Sequence, residues 1–588
     1  MVRMVRTVSI VFGMAFASSL IAGEPAPAPV GTRVADFTRT DLVADAPWSL
    51  SDAGRDRKPT VVVFLAASCP VSNAILPKVA GLAKRLKAEA TFVGIYAHPS
   101  DSAADAAKHA AATKLPFPVL HDADGSLAKR FRVDRVPTAF VLDGGLNVRY
   151  MGRVDDQDAP GVHRDRPTTR DLGNALDAVI DGRAVTVPYA VPAGCKLLAD
   201  PAVKGTTAIT YHNEVSRILQ AKCQGCHRPG ETAPFPLMTF KDAKSWAGMM
   251  REVVADDAMP PWHADAKPGH FVNDRRLTAA DKATLLAWID AGCPEGDAAQ
   301  SPPAKEYTQG WRLPRAPDLV VKMAKPIDVP AQFMMGAIGM PYHYVQGDAT
   351  FAEDTWVTGL EVRPDFREAI HHIIVFLIPP GKHLKELVKN DGFSRHLLSA
   401  YVPGDEANVL PPGLGKLIPK GSMLLFEVHY TPNGKAGRDQ SCIGLMTTKT
   451  PPAREVKSDA AITKRFAIPP GDGNYSPDVA VLTFDRPVTL LNMTPHMHVR
   501  GKAFRYELVT PDGTREVLLN VPKYDFNWQT GYAFKEPRKL PAGSRIECTA
   551  WYDNSKANPS NPDPTKRVTW GNQTWEEMMI GFVEYVAE

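Results

Sequence analysis

The stretch KPTVVVFLAASCPVSNAILPKVAGLAKRL, residues 58–86, places a cysteine between two different patterns. The apolar run before it is typical of a buried strand, and the longer pattern after it is typical of a helix. Cys69 stands at the turn between them. A cysteine at a helix N-terminus has a lowered pKa, because the positive end of the helix dipole favours the thiolate. The stretch therefore predicts a thiol in a position that favours reactivity.

A second stretch, RVPTAFVLD at residues 135–143, places Val136-Pro137 directly before another strand. Together the two stretches resemble the thioredoxin-like fold, in its redoxin or peroxiredoxin-like branch. The resemblance implies that Pro137 is cis and faces Cys69. The chain departs from the thioredoxin pattern, because Ser72 stands where the second cysteine of the C-P-V-S motif would be. The peroxidatic P-x-x-x-T-x-x-C signature is also absent.

Three alternatives therefore stay open for Cys69. It is a thiol that works alone, a thiol resolved by the distant Cys195, or part of a scaffold that has lost its redox role. The spacing of the cysteines does not decide between these alternatives, because it cannot give connectivity. The other cysteines outside the motif described below are Cys293, Cys442 and Cys548.

The start of the chain predicts export. Residues 1–23 carry Arg3 and Arg6, then an apolar run and small residues, as in a cleaved secretory signal. No later segment is long and apolar enough to cross a membrane. We therefore expect a periplasmic or extracellular protein in an oxidising compartment. The net charge of +3 gives no reason to expect a nucleic-acid partner.

Composition divides the 588 residues into several domains, as the length itself suggests. Breaks rich in Pro, Gly or charged residues occur at 185–205, 293–307 and, more weakly, 447–461. They predict a multidomain chain: an α/β thioredoxin-like domain at 30–190, a mostly α-helical cytochrome c-like domain at 205–300, and two all-β, jelly-roll-like sandwiches at 310–455 and 460–588.

The motif C-x-x-C-H at residues 223–227 is typical of covalent haem attachment. In this interpretation Cys223 and Cys226 form thioethers to haem c, and His227 is the proximal iron ligand. A zinc site would need further cysteine or histidine partners at close spacing, and only scattered histidines follow. The sequence therefore predicts a c-type haem.

The sixth iron ligand is predicted to be Met259, in the segment DDAMPPWHAD. This segment resembles the methionine loop of monohaem cytochromes c. The helical pattern that follows has Thr278 in the position of an N-cap and Trp288 directed inward. The competing candidates for the sixth ligand are Met238, Met249, Met250 and His263.

Five histidines and a methionine are spaced through the last two regions. His496 and His498 are two residues apart in a strand-like run, so both side chains point the same way. The adjacent His371 and His372 would face opposite ways on a regular strand. They can bind one metal only if the strand ends or bulges there. The remaining members of the set are His429 and Met578.

The order HH, H-Y, H-x-H and E-E-M resembles the copper type II, ascorbate-dependent monooxygenases, over residues 310–588. The resemblance implies two copper ions set apart across a solvent cleft. His371, His372 and His429 would bind the electron-storing copper. The copper that meets O₂ would be bound by His496, His498 and Met578. A soft thioether ligand also favours copper over zinc.

The resemblance implies hydroxylation of a substrate C–H bond with O₂. The peptidylglycine enzymes of that family anchor a carboxylate at positions that here hold Thr494, Ile580 and Phe582. We therefore expect a more apolar small-molecule substrate. The electrons are expected from the tethered haem or from an external donor, since both the haem and copper carry one electron at a time.

Two other classes of function remain open from the sequence. In the first, the chain is a thiol–disulfide or peroxide redox protein that acts through Cys69, and its later domains only bind metals. In the second, the chain is a non-enzymatic carrier of electrons that binds copper and haem.

Overall fold

The computed structural model describes residues 29–164, 166–197, 208–267, 269–331, 340–382, 393–405 and 407–588. The predicted signal sequence, residues 1–23, lies outside them. Within the described ranges, no helix has both the length and the apolar character that a membrane span requires.

The N-terminal region is built around a six-stranded mixed sheet. The strand Thr60–Leu65 lies in its interior and is wholly buried, because its alternate residues face two separate hydrophobic cores. It pairs in parallel with Thr91–Tyr96 and antiparallel with Thr138–Leu142. The helix Pro70–Arg85 follows Cys69, as the opening stretch predicts. The other strands of this sheet are Val119–His121, Val148–Gly152 and Tyr189–Ala190. Two short hairpins pair Thr38–Asp41 with Ala46–Ser49 and Asp158–Ala159 with Val162–His163. The other helices are Leu50–Ala53, Ala103–Ala112, Ser126–Phe131 and Asp171–Ile180.

The regular elements described between residues 208 and 300 are helices, which cover a little under half of these residues. The helix Ala279–Asp290 begins at Thr278, whose hydroxyl accepts a hydrogen bond from the Asp281 N–H. Trp288 in this helix is fully buried. Both features agree with the sequence pattern. The remaining helical segments are Tyr211–Val215, Ser216–Lys222, Phe240–Ser245, Ala247–Ala255 and Ala298–Gln300.

The thioredoxin-like and helical regions share one hydrophobic core. Phe64 and Phe140 of the sheet belong to the same buried cluster as Cys195, Trp246 and Trp288. The boundary predicted between residues 190 and 205 therefore lies between segments whose side chains pack together. Residues before and after this boundary are brought together only by the folded structure, which a local composition break cannot reveal.

The region after residue 319 consists of strands, as predicted, but its two halves are joined by hydrogen bonds. A nine-stranded sheet runs through both halves, because Leu414–Ile418 pairs in parallel with Arg454–Ile462. The latter strand also crosses the boundary predicted between residues 455 and 460. The nine-stranded sheet comprises Leu319–Lys322, Cys442–Thr448, Thr355–Arg363, Asn408–Val409, Leu414–Ile418, Arg454–Ile462, Ile580–Ala587, Val488–His496 and Tyr532–Leu540.

Two four-stranded sheets pack in the same region, one in each half. The first comprises His343–Thr350, Met423–Tyr430, Ile370–Ile378 and Leu397–Tyr401, and the second comprises Ala480–Thr483, Arg545–Tyr552, Gly501–Val509 and Arg515–Val521. Short pairs are formed by Ile327–Val329 with Gly437–Asp439 and by Ala467–Ile468 with Val568–Thr569.

Candidate redox and metal sites

Cys69 occupies the residue before the first turn of the helix Pro70–Arg85 and is fully buried. Pro70 suits the first helical position, where its missing N–H would have no partner. Ser72, which replaces the second cysteine of the motif, accepts a hydrogen bond from the Ala66 N–H at 3.2 Å. The local sequence therefore holds a single thiol at the helix N-terminus.

The second thiol of the site comes from Cys195. The two-residue strand Cys195–Lys196 pairs antiparallel with Arg135–Val136, so Cys195 lies opposite Val136. The peptide bond between Val136 and Pro137 is cis, as the resemblance implies, and Cys69 Sγ lies 3.4 Å from the Val136 carbonyl oxygen. Cys195 and Cys69 therefore meet at the same residue, Val136, and the two thiols are neighbours. This is the arrangement that the second of the three alternatives for Cys69 requires.

The electrostatics of the pair separate the roles of the two thiols. Burial raises the pKa of Cys69, but hydrogen bonds from the Cys195 thiol and from the backbone N–H groups of Ser72 and Cys195 outweigh it. The net effect lowers the pKa of Cys69 to about 7. The same hydrogen bond and burial raise the pKa of Cys195 well above its usual range. Of the two thiols, Cys69 is therefore the one that ionises more readily.

The approach of Cys195 depends on Gly194. A Cβ atom at this position would lie 2.1 Å from the Val136 carbonyl oxygen and 2.7 Å from Pro137 Cδ. We expect Gly194→Ala to lower the free energy of unfolding by about 1–3 kcal/mol and to reduce disulfide formation between Cys69 and Cys195. Chemical denaturation and thiol alkylation measure the two effects.

Gly81→Ala is the matched control for this substitution. Gly81 lies in the helix Pro70–Arg85 with open space around the position of its Cβ. Alanine is preferred to glycine in a helix by up to about 1 kcal/mol, so this variant is expected to be at least as stable as the wild type. Equal stability of the two alanine variants would show that the close approach at Gly194 is unimportant.

The C-x-x-C-H motif follows the helix Ser216–Lys222. Cys223 and Cys226 are thiols and form no disulfide with each other. The His227 Nδ1–H donates to the Phe235 carbonyl oxygen at 3.1 Å, which fixes the ring and would leave Nε2 as the atom that binds iron. These three residues fit a covalently attached haem c. Met259 lies half-buried in the loop after Ala247–Ala255, and its role as the sixth ligand stays a prediction.

The residues beyond Met259 turn toward the C-terminal sandwich. Trp262 contacts Tyr532 edge-to-face, with ring centroids 5.1 Å apart, and Phe271 packs beside it. The sequence places this segment wholly in the haem-binding domain. Its aromatic residues instead complete the core of the last sandwich, which the local pattern did not indicate.

His371, His372 and His429 lie together on neighbouring strands. The register shifts between Ile370 and His372, which is the bulge that an adjacent histidine pair requires to turn both rings to one side. His372 lies opposite His429, and one nitrogen from each of the three rings lies within 4.8 Å of the others. The Nδ1 atoms of His371 and His372 are 3.0 Å apart. Metal–nitrogen bonds are about 2 Å long, so this spacing suits one ion.

The state of His372 also fits a metal ligand. Burial and the neighbouring imidazoles hold the pKa of His372 well below its usual range, so the ring is neutral. Its Nε2 atom is buried and has no hydrogen-bond partner in the structure. Neutral imidazole is the form that binds copper.

The second predicted set lies at the end of the strand Val488–His496. His496 pairs with Ile580, which places His498 and Met578 at neighbouring ends of the two strands. The rings of His496 and His498 have centroids 5.3 Å apart. The strand stops at His496, earlier than the H-x-H pattern suggests, and His498 lies in the turn that follows.

Glu577 holds this second set together. Its carboxylate accepts hydrogen bonds from the backbone N–H groups of His498, Arg500 and Met578, at 2.8, 2.7 and 3.3 Å. The His498 Nδ1–H donates to the Glu576 carbonyl oxygen at 3.1 Å, so the buried and unpartnered Nε2 remains for a metal.

Met578 and His496 line one small cavity of about 50 Å³. The cavity is mostly apolar, and Ile580 and Phe582 contribute to its wall. Burial raises the pKa of Glu427 in the same wall to about 7. The neighbouring Met579 points into the hydrophobic core of the C-terminal sandwich.

The two histidine sets adjoin each other, which differs from the solvent cleft that the resemblance implies. The Gln529 side chain bridges them, with Oε1 2.5 Å from His496 Nδ1 and Nε2 3.4 Å from His372 Nδ1. The Tyr342 ring packs against His372 and His498. These side chains fill the space between the halves, so both sets are buried. Gln529 and Tyr342 had no signal in the sequence, because neither stands in a metal-ligand pattern.

Comparison with known proteins identifies the N-terminal region alone. Residues 30–151 match the model of the AhpC/TSA family. No curated protein matches the chain. Among solved structures, an uncharacterized conserved protein of Geobacillus kaustophilus shares 26% identity over 30% of this chain and 94% of its own, with a TM-score of 0.28. A hypothetical protein of Sinorhizobium meliloti shares 27% identity over 28% of this chain and 92% of its own, with a TM-score of 0.25. Peroxidoxin BcpB of Mycobacterium tuberculosis shares 26% identity over 26% of this chain and 98% of its own, with a TM-score of 0.21. Residues 30–151 are therefore a thioredoxin-like domain of the AhpC/TSA type.

Proposed function

We propose that this protein is an oxidoreductase whose thioredoxin-like domain works by reversible formation of a disulfide between Cys69 and Cys195. The placement of both thiols at Val136, with Cys69 at the N-terminus of the helix Pro70–Arg85, supports this proposal most directly. The AhpC/TSA match of residues 30–151 supports the same chemistry. Of the three functions that the sequence leaves open, the thiol–disulfide function has the strongest support, ahead of the monooxygenase function.

The proposed reaction is thiol–disulfide exchange. The Cys69 thiolate attacks one sulfur of a substrate disulfide, forming a mixed disulfide and releasing the other sulfur as a thiolate. Cys195 loses its proton and attacks Cys69 Sγ, which forms the Cys69–Cys195 disulfide and releases the second substrate thiolate. The substrate gains two electrons, and a reducing dithiol restores the pair.

Asp101 is placed to receive the proton of Cys195. Burial raises the pKa of Asp101 to about 6, and its carboxylate accepts hydrogen bonds from the Ala67 N–H and the Ser100 hydroxyl. Ala67 lies two residues before Cys69, so the carboxylate lies beside the turn that carries this thiol. A buried carboxyl group beside a thiol pair is a suitable proton acceptor.

A glutathione redox titration of the full chain tests this proposal. We expect one two-electron transition, in which the number of alkylatable thiols falls by two as the titration becomes more oxidising. The Cys69→Ser variant is expected to lose this transition, and the Cys442→Ser control is expected to keep it. A wild-type chain whose thiols remain alkylatable at every potential would rule out the proposal.

The thiolate of Cys69 gives a pH-dependent signal. Because its pKa is lowered to about 7, the thiolate is expected to form as the pH rises through about 7, well below the usual range of a cysteine. The ultraviolet absorbance of the thiolate, taken as the difference between reduced wild type and Cys69→Ser, measures this. Cys195→Ala should move the transition to higher pH, since it removes a hydrogen bond to the thiolate. A transition at the usual pKa of a free cysteine would contradict the assignment.

A copper-dependent monooxygenase activity of residues 310–588 is the second candidate. The specific observation in its favour is the bulged strand that turns His371 and His372 toward His429. When bound at the two histidine sets, copper would supply one-electron redox steps and a site for O₂ chemistry. Gln529 orients His496, Glu577 positions His498 and Met578, and the apolar cavity would receive the substrate.

The C-x-x-C-H segment adds a second place for a one-electron group. Cys223 and Cys226 would hold haem c covalently, and His227 would bind its iron. With such a group bound, the chain would also serve as an electron carrier, the third function that the sequence leaves open. Export to the periplasm or the exterior remains part of this proposal.

A further inference from the structure

The proposed thiol pair is enclosed by the helical region. Cys69 is 0% exposed and Cys195 is 4% exposed. The helix Ala247–Ala255 lies directly over the strand that carries Cys195, since a Cβ on Gly248 would be 2.9 Å from the Leu197 carbonyl oxygen. In this arrangement the thiol pair is buried beneath the helical region. Electrons, however, can pass through packed groups.

A salt bridge fixes this enclosed arrangement. Arg135, beside the cis-proline loop, donates to both carboxylate oxygens of Glu252 at 3.3 and 2.6 Å. A bidentate arginine–carboxylate pair holds two elements in one orientation. The helical region therefore lies in a defined position against the thiol site.

Four aromatic rings connect the C-x-x-C-H motif with the thiol loop. The ring of His227 lies 4.8 Å from that of Phe235, measured between centroids. Phe235 stacks on Trp246 at 3.7 Å with an interplanar angle of 7°. Trp246 in turn contacts His98 at 4.1 Å and 32°. The stack is continuous from the predicted iron ligand to the thioredoxin-like domain.

Hydrogen bonds complete the connection from the last ring to the thiols. His98 Nδ1 lies 2.8 Å from the Ser100 hydroxyl, and this hydroxyl lies 3.1 Å from the hydroxyl of Ser68. Ser68 is bonded to Cys69 in the chain. His98 and Trp246, in the middle of the path, are both 1% exposed.

We propose that the stack His227–Phe235–Trp246–His98 is an electron path between the Cys69–Cys195 pair and a haem held by His227. This inference rests on the proposed thiol function and names the partner of that thiol site. Packing alone would require buried apolar groups at this interface. It would not require an unbroken series of rings that begins at a predicted metal ligand and ends beside an enclosed thiol pair.

The overall reaction is the oxidation of two thiols to one disulfide. Cys69 and Cys195 together lose two electrons and two protons, and a sulfur–sulfur bond forms. With a haem held by His227, the electrons would leave singly through Trp246 and Phe235 toward that group. A soluble one-electron acceptor, such as a ferric complex, takes each electron in turn, so that two equivalents of acceptor are consumed for each disulfide.

The test uses the full haem-containing chain, freed of copper by chelation. The chain is reduced, desalted without oxygen and titrated with ferricyanide, while haem absorbance and alkylatable thiols are recorded. We expect wild type to consume three equivalents, one from the iron and two from the thiols, with two thiols lost. The Cys195→Ser variant is expected to consume one equivalent.

Variants of the stack separate the path from simple packing. In Trp246→Leu the rate of thiol loss is expected to fall about tenfold or more, while Trp246→Phe, which keeps a ring, stays close to wild type. Trp551→Leu is the matched control, because Trp551 lies in the C-terminal sandwich, and its rate should not change. Circular dichroism checks that each variant folds. An unchanged rate in a folded Trp246→Leu protein overturns the inference.

The double variant Cys223→Ala/Cys226→Ala, which cannot attach haem covalently, supplies a readout without the cofactor. Its thiol pair should remain reduced in ferricyanide. Loss of its thiols at the wild-type rate would also overturn the inference, since the oxidant would then act directly. The glutathione titration distinguishes the two proposals. If the disulfide forms with glutathione but not with ferricyanide, only the electron path is contradicted. If it forms in neither experiment, the thiol function is contradicted.

Discussion

The Cys195→Ser variant is expected to gain oxygen atoms at Cys69 when it is treated with peroxide, whereas the wild type is expected to stop at a disulfide. Peroxide oxidises a thiolate to a sulfenic acid, and a neighbouring thiol then condenses with it. Cys195 and Cys69 lie together at Val136, so in the wild type this condensation competes with further oxidation. Without Cys195 the sulfenic acid has no partner and proceeds to sulfinic and sulfonic acids.

Mass spectrometry of the intact chain distinguishes these products. Wild type should lose two hydrogens, and Cys195→Ser should gain oxygen in a form that dithiothreitol does not reverse. Cys442→Ser is the control, because Cys442 lies in a strand of the first sandwich and should not alter the outcome. Identical products from wild type and Cys195→Ser would show that Cys195 does not resolve Cys69.

The second large effect is expected at the histidine sets. Protein freed of metal by a chelator is expected to bind two copper ions when copper is added. The His372→Ala variant is expected to retain only one at low copper concentration. His372 is one of three imidazoles whose nitrogens lie within 4.8 Å of one another. Losing even a residue that supports a metal ligand weakens binding by about 10–100-fold, so loss of the ligand itself should weaken this site by at least that factor.

Copper content after dialysis, with the electron paramagnetic resonance spectrum of Cu(II), measures the effect. His343→Ala is the matched control, because His343 lies in the same sandwich outside both sets and its removal should leave two ions. Met578→Leu should weaken binding of Cu(I) in the second set more than that of Cu(II), since thioethers prefer Cu(I). Unchanged copper content in His372→Ala would remove the support for the metal site.

Local sequence was sufficient to predict the elements that carry the reactive groups. The apolar run before Cys69 and the helical pattern after it gave the correct strand and helix, because both signals arise from neighbouring residues. The cis peptide before Pro137 followed from the resemblance. The bulge beside His372 followed from geometry, since two adjacent rings cannot otherwise face one ion.

The contacts between distant segments were not predictable in the same way. Cys195 reaches Cys69 through a strand of only two residues, which leaves no periodic pattern. Gln529 joins the histidine sets from a loop, and its amide has no characteristic spacing in the sequence. The shared core around Trp246 similarly depends on how two regions dock. Such features are set by tertiary packing, which local propensity and residue spacing do not predict.

The identity of the disulfide formed by the oxidised wild-type chain is the most direct test of the central proposal. The chain is oxidised with glutathione disulfide, its remaining thiols are blocked, and it is digested under non-reducing conditions for peptide mapping. We predict one linked pair of peptides, one containing Cys69 and the other containing Cys195. A Cys69 peptide recovered in its blocked form, or linked to any cysteine other than Cys195, would contradict the proposal.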